Sequence, residues 1–410
     1  MSRPRQSVAI VTMRFPGPSE TFISSRLRTL VDMGHHVRVF ALRGQLHDRD
    51  ALARERGVES IPTSHNGFAT NVAGTFAAFR RPGLLLATLR WLFTTSSANL
   101  PQLFTALAIV PRSFDILAQL EREAPDVLHT EWGHYPAVVA YLVTNRLPRT
   151  IVSVSLIAYD LDAEFGGSVD VVRQASVIRT QARVNVEKIA RFTGVDAQRV
   201  DVVYDGVDLG LIHRIHANVT KVPGRFVAAG RLIPEKGIDD AIRVFAATKA
   251  RAGATSLVVL GDGHERGRLH QLAVELGVAD SVTFLGHVSH ERALEEFARA
   301  EIHLHMSHSE RLPNVVMEAM ACHCVCITTR TAGIEELVDS GVTGFVVEVG
   351  DVATASDIAV ELLDGGAAMA AIGEAAHSFV AEHFDHDRNV RLLLDLWSQA
   401  RRSAHGTSPA

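Results

Sequence analysis

The sequence predicts an α/β protein built as two parallel-sheet units in series. Three observations predict it. Short β-branched apolar runs alternate with helical patterns, the signature of strands joined by crossover helices. The same alternation stops at a turn-rich stretch, Tyr204–Leu211 with YDGVD at its centre, and then starts again. At 410 residues the chain is too long for one ordinary core. The first unit is expected over 1–204, the second over 205–385, a further helix over 386–401 and a disordered tail over 402–410.

The first unit opens with the apolar run SVAIVT (Ser7–Thr12), a loop rich in Pro and Gly (MRFPGPSE), and a helical pattern, TFISSRLRTLVDM, stopped by Gly34. The strand HVRVFAL follows, so the start is a βαβ unit. DVLHT (Asp126–Thr130) and TIVSVSL (Thr150–Leu156) are the next strands expected. Between Ser60 and Phe114 there is no acidic residue, while Arg80, Arg81, Arg90 and Arg112 are present. This segment reads as a helical insertion, about 60–114, packed on the first unit. The sharper alternative is a surface that meets anionic lipid or an anionic acceptor. In the second unit, GRFVAAG (Gly224–Gly230), SLVVLGDG (Ser256–Gly263), VTFLG and EIHLHMS are strands, each adjoining a helical pattern. Their continuous apolar character argues for a sheet covered on both faces. The last helical pattern is RNVRLLLDLWSQA.

Composition narrows the function classes. Apolar residues make up 47% and charged residues 21%, as in a folded globular chain. The net charge of −5 supplies no footprint for nucleic acid. Of 41 basic residues only Lys188, Lys221, Lys236 and Lys249 are lysine, so a lysine in a chemically demanding loop stands out. Cys322, Cys324 and Cys326 are an odd, clustered trio, not a disulfide framework, and a reducing, cytoplasmic location is expected. The opening MSRPRQSVAIVTMRF has no secretory pattern. The least charged window, Trp91–Pro111, is broken by Pro101 and rich in Thr and Ser, so no membrane span is expected. If the acid-free segment meets lipid, the protein sits peripherally on the inner face of the plasma membrane.

Two motifs carry chemistry. In GRLIPEKG a strand ends at Gly230 and a loop turns at Pro234 and Gly237, with Arg231 and Lys236 on it. Loops at the carboxyl ends of parallel strands are where open α/β sheets bind ligands, and this cation pair suits a diphosphate. In HSERLPNVVMEAMACHC, Pro313 suits the start of a helix over Asn314–Cys322. Its N-terminus would present free N–H groups and a positive dipole end to phosphate or sugar oxygens. Glu310 lies before the turn and Glu318 about one turn into the helix. Each carboxylate can accept hydrogen bonds from a pair of vicinal hydroxyls.

GRLIPEKG, LVVLGDG, VTFLGHVS, SERLPNVVMEAMA and TAGIEELVDSGVTGFVVEVGD, in that order and spacing, resemble the C-terminal half of family 4 glycosyltransferases, the retaining nucleotide-sugar enzymes of GT-B fold. The resemblance covers Arg225–Asp351. The opening FPGPSETFISSRLRTLVDMGHHVRVFALR looks like the N-terminus of members that build exopolysaccharides and other bacterial glycans. The resemblance implies two Rossmann-like domains facing across a cleft, with the last helix crossing back to the first. It implies a donor diphosphate held by Arg231 and Lys236 beside Gly230, ribose hydroxyls on Glu318, and sugar hydroxyls on Glu310 near the reacting face. Leu312, Pro313, Asn314 and Val315 would contact sugar and phosphate, His287 and Val288 would frame the base, and Gly17, Ser19 and Glu20 would cap the phosphate side. The donor implied is a nucleoside-diphosphate sugar, with no cofactor and no metal expected. The acceptor is a glycan, a lipid-linked molecule or a small molecule.

Departures from the family pattern are specific. E-G-x-P reads Glu310-Arg311-Leu312-Pro313, which puts a side chain beside the donor sugar. A-C-G-x-P reads Ala321-Cys322-His323-Cys324-Val325. Where many relatives carry a histidine in T-x-H-x-x-D, this chain has Ile157, with Asp160 retained. Its role would pass to His134, Tyr159 or Asp160, and His129 and His134 are the further candidates on the acceptor side. Two other readings stay open: a catalytically impaired paralogue that binds nucleotide or a partner, and a GT-B sugar-nucleotide epimerase. Asp160-Leu161-Asp162 spells a metal–diphosphate motif of a different transferase fold. The cluster of His303, His305, His308, His323 and the three cysteines reads as buried thiols and hydrogen-bonded imidazoles rather than a metal site. Sugar, base, acceptor, linkage and oligomeric state are left open.

Overall fold

The computed structural model describes residues 5–17, 20–252 and 255–406. It divides into two compact units, one running to Asp205 and resuming at Asp387, the other Gly206–His386.

The first unit is a seven-stranded sheet: β1 (Ser7–Thr12), β2 (His36–Ala41), β3 (Thr63–Ser64), β4 (Val127–Thr130), β5 (Ile151–Ser155), β6 (Val177–Thr180) and β7 (Val200–Val202). The order is β3-β2-β1-β4-β5-β6-β7, and every pairing is parallel. Successive side chains leave a strand on opposite faces. Val8, Ile10, Val127, Ile151 and Val177 therefore pack with Ile23, Leu27 and Leu30 of the helix Thr21–Asp32. Val390, Leu393, Leu394 and Trp397 of the last helix close the same face. Ala9, Val11, Leu128, Val152 and Val154 pack on the other face, with the helix Val110–Glu123 and the insertion. This two-sided burial explains why the strands read as apolar runs.

Two sequence expectations are corrected here. The segment 60–114 begins with edge strand β3, paired with β2, so it is not wholly helical. Its helices are Phe68–Phe79, Pro82–Ser96 and Leu100–Ala108, and Val110–Glu123 runs past its end as a core helix. The final helix is also longer than expected, His386–His405, so residues 402–405 are helical. It is tied to the first unit by Arg401 with Asp126 at 2.8 Å and by Gln6 Nε2 donating to Ser398 Oγ at 2.9 Å.

The second unit repeats the plan with six parallel strands: β8 (Arg225–Ala229), β9 (Ser256–Leu260), β10 (Val282–Gly286), β11 (Ile302–His305), β12 (Val325–Thr329) and β13 (Phe345–Val347). Their order is β10-β9-β8-β11-β12-β13. In each sheet the strand order reverses beside the first strand, between β1 and β4 and between β8 and β11. Crossovers there leave to opposite sides, which opens a crevice at the strands' carboxyl ends.

Candidate active site

In the second unit the loops after β8 and β11 flank the reversal. Gly237 explains how they meet. Its φ is +57°, and a Cβ there would stand 1.9 Å from the carbonyl oxygen of Met306. Only glycine permits both the left-handed turn and the close approach. Glu235 O then accepts from His308 N at 2.9 Å and from Ser307 Oγ at 2.9 Å. GRLIPEKG is thereby stitched to HSERLP, and Lys236 Nζ donates to Glu310 Oε1. The two motif residues singled out separately in the sequence form one ion pair.

Arg231 is exposed. The helix Asn314–Ala321 starts at Pro313 and buries Val316, Met317, Ala319 and Met320. It ends one residue short of the expected Cys322. That burial leaves Glu318 half-buried, where it accepts from His290 Nε2 at 2.9 Å. The Glu318 hydrogen bond raises the His290 pKa above the ordinary imidazole value, and partial burial opposes it. His305 stands behind Glu310, its Nε2 at 3.9 Å from Oε1. Burial, His303 and Lys236 push the His305 pKa well down, so it is a neutral ring. Its Nε2 has no hydrogen-bond partner among the described residues. Leu312 and Pro313 are buried, Asn314 and Val315 half-buried, and Val288 half-buried after β10 with His287 exposed. Gly230 N donates to Leu260 O at 3.0 Å, which fixes the start of the basic loop.

At the reversal in the first unit, the loop after β1 carries Gly17 and Glu20, and Arg56 Nη1 donates to Gly17 O at 2.6 Å. Ser19 lies outside the described residues. Burial and then the charge of Glu131 raise the Glu20 pKa to about 7. Its Oε2 has no partner among the described residues. Beneath it lies a buried charge network. Arg26 Nη1 donates to both Glu131 oxygens at 2.6 Å, and its Nη2 donates to Asp205. Arg179 reaches Asp205, Ser155 Oγ at 3.2 Å and Val203 O. Burial alone would raise the Glu131 pKa, but Arg26 and His129 hold it far below the ordinary carboxylate range.

His129 belongs to this network, which corrects its assignment to the acceptor side. It is fully buried, with Nδ1 at 2.9 Å from Ser153 Oγ and its ring 5.4 Å from that of Trp397. The last helix covers it, so a substrate has no access. The other three acceptor candidates do come together. Asp160 accepts from the amides of Gly133 and His134 at 3.0 Å and of Ile157 at 3.1 Å, and His134 Nδ1 lies 2.7 Å from Oδ1. The rings of Trp132 and Tyr159 stand 5.6 and 5.1 Å from that of His134. The histidine that meets Asp160 here is His134, from the loop after β4. Asp162 points elsewhere, exposed and 3.0 Å from Lys188, so the D-x-D pair is split. Cys322, Cys324 and Cys326 are buried free thiols, and burial pushes Cys324 up to about 12.

His290 and the Arg26–Glu131–Asp205 network were missed in the sequence, and His305, read there only as one of a cluster of buried imidazoles, was not placed behind Glu310. His290 opens a helix capped by Ser289, an ordinary surface position until Glu318 is placed beside it. Arg26, Glu131 and Asp205 lie far apart along the chain, and no local signal links them.

Residues 215–379 match the family described as glycosyl transferases group 1. Over those residues, most of the second unit, the chain is of the group 1, family 4 glycosyltransferase type. N-acetyl-alpha-D-glucosaminyl L-malate synthase of Bacillus anthracis is 26% identical over 290 residues, 66% of this chain and 74% of that protein. Amylovoran biosynthesis glycosyltransferase AmsK of Erwinia amylovora is 22% identical over 407 residues, 94% and 97% of the two chains. Further relatives are aligned over little more than half of their own length, 57% in one case. Among solved structures, Anabaena Alr3699/HepE in complex with UDP superposes with a TM-score of 0.71 at 17% identity, covering 96% of this chain and 99% of that one. That likeness establishes the GT-B fold of this glycosyltransferase.

Proposed function

We propose that this glycosyltransferase moves a hexosyl group from a nucleoside-diphosphate sugar to a hydroxyl acceptor with retention of configuration and without a divalent metal. The observation that carries the proposal is the pairing of Lys236 with Glu310 at the strand-order reversal of the second unit, with Arg231 on the same loop as Lys236 and Glu318 on the adjoining helix. A diphosphate leaving group gathers charge in the transition state, and Arg231, Lys236 and the helix N-terminus at Pro313 would neutralise it. Glu310 would accept from sugar hydroxyls and Glu318 from the ribose. In a front-face reaction the leaving phosphate itself takes the acceptor proton, so no strong protein base is needed and Ile157 is tolerated. The acceptor groups are assigned to the first unit, to His134, Tyr159 and Asp160. His134 on Asp160 favours this reading over an impaired paralogue.

Uridine diphosphate sugars are the first donors to try, because the Anabaena protein is described with UDP and with UDP-glucose. The relative named for amylovoran biosynthesis supports a role in polysaccharide assembly. A thermal-shift panel of nucleotide-sugars tests the proposal. A true donor at a hundred times its dissociation constant stabilises by about 2.7 kcal/mol. No response to any member would count against donor binding, and turnover lost in EDTA and restored by Mn²⁺ would count against metal independence.

A further inference from the structure

The insertion in the first unit leaves large apolar side chains uncovered on three helices. On the helix Phe68–Phe79, Gly74, Ala77 and Ala78 are buried. A Cβ at Gly74 would stand 1.7 Å from Pro111 O, so this side of the helix is pressed against the segment Val110–Glu123. Phe68, Val72, Phe76 and Phe79 recur at helical spacing on the exposed side, and the three phenylalanines are 87%, 65% and 71% exposed. The helix Pro82–Ser96 buries Thr88, Trp91 and Leu92 and exposes Leu86, Arg90 and Phe93. The helix Leu100–Ala108 buries Leu103 and Ala106 and exposes Leu100 and Phe104. Three consecutive helices thus each bury one side and expose an apolar stripe. Isolated exposed apolar residues are normal, but a set of this size marks an interaction surface.

The charges select the partner. Arg112 is buried and bound to Asp115, and Arg81 is held by Glu121 and by Ala77 O. Arg80 and Arg90 are exposed. Two acidic residues that contact these helices from outside are themselves engaged: Glu121 also holds Arg146, and Asp170 accepts from Trp91. No carboxylate lies within 60–114. A second copy docked through this face would set the arginines of one insertion against those of the other, with no acid from either insertion between them. An anionic bilayer satisfies both halves of the pattern: phenylalanine and leucine enter the boundary between headgroups and chains, and arginine stays at the phosphates. Among the described residues no single helix is long and apolar enough to cross a membrane. The bent pair Leu100–Ala108 and Val110–Glu123 does not span one either, because the second helix buries Phe114, Ile116, Leu117 and Leu120 in the protein core.

We propose that the exposed side of the helices over Phe68–Ala108 is a peripheral docking surface for anionic phospholipid, which would hold the enzyme where lipid-borne acceptors lie. The contact is independent of the transfer chemistry, so it is tested by binding alone. The full chain is sedimented with vesicles of phosphatidylcholine, and with vesicles of phosphatidylcholine mixed with phosphatidylglycerol, at low and high salt. Binding to the anionic vesicles that weakens with salt is expected. F76S/F79S should abolish it. R80Q/R90Q should lower the partition coefficient by about 30-fold, from about 1 kcal/mol per cation. All four side chains are exposed, so unfolding midpoints should match wild type, and if the serine variant fails to fold the glutamine variant still decides. No binding to anionic vesicles, equal binding to neutral ones, or indifference to R80Q/R90Q overturns the proposal. So does a dimer in sedimentation velocity that F76S/F79S dissolves while vesicles fail to bind; that result assigns the face to a second copy.

Discussion

The ion pair between Lys236 and Glu310 makes a counterintuitive demand on the nucleotide. Under the proposed function, a donor diphosphate has to compete with Glu310 for the ammonium group. Removing the carboxylate with Glu310→Gln should therefore improve binding of a nucleoside diphosphate that carries no sugar. The two side chains are 20% and 19% exposed, so the pair is neither fully screened nor fully dry. A hydrogen bond between charged groups is worth about 1.5–3 kcal/mol when buried, and partial exposure brings it to about 1 kcal/mol. Released to the diphosphate, that is about five-fold in affinity. Lys236→Met should act oppositely, weakening the same ligand by about ten-fold or more. With the complete donor, Glu310→Gln should lower kcat by about ten- to a hundred-fold, because sugar hydroxyls lose a charged acceptor whose contact strengthens as the ring distorts. Isothermal titration with UDP and single-turnover kinetics with UDP-sugars read the two effects separately. If Glu310→Gln weakens UDP binding as much as Lys236→Met does, Glu310 is a nucleotide ligand and the assignment to the sugar is wrong.

Three other outcomes follow from the geometry. Glu318→Gln should raise the dissociation constant for nucleoside diphosphate by about ten-fold and leave kcat less affected, since a ribose contact is uniform between ground and transition states. It should also lower the His290 pKa, seen by NMR titration. A histidine raised in the fold contributes stability below its unfolded pKa of about 6.5 and loses it as pH rises through the folded value, so an unmoved His290 would refute the pairing. Glu20, raised to about 7 by burial and by Glu131, should show that same sign. Its contribution is greatest below about pH 4.5 and is lost by pH 7–8, at most about 3 kcal/mol. The difference between wild type and Glu20→Gln in urea denaturation across that range measures it, and a flat difference disposes of the raised pKa. Arg26→Met takes from buried Glu131 the guanidinium that binds both of its oxygens and should cost about 3–5 kcal/mol of stability. A loss below about 1 kcal/mol would mean the network is solvated rather than buried.

The sequence by itself determined what depends on local periodicity and on residue chemistry. Strand and helix alternation, glycine stops and the restart near Tyr204 are short-range signals, and each follows from backbone sterics and side-chain spacing. The two motifs proposed for the donor were legible for the same reason: cations, carboxylates and the Leu-Pro turn lie close along the chain. The edge strand Thr63–Ser64 was not, because a two-residue strand carries no period and is recognised only by its pairing with Val39 and Phe40. The tail's last helical turns escaped as well, since residues 402–405 continue a helix anchored by distant contacts.

Tertiary structure alone decided which side chains meet. His129 and His134 are five residues apart and look equivalent in sequence. Strand β4 sends the first beneath Trp397 and the loop beyond sends the second onto Asp160. Glu310 and Glu318 are eight residues apart, yet Lys236 claims one and His290 the other. The arginines of 60–114 look alike as well, and packing separates the buried Arg112 and the paired Arg81 from the exposed Arg80 and Arg90. Charge partners are set by sheet order and helix packing, which bring together residues tens to hundreds of positions apart; residue type states what a group can do, and the fold states what it touches.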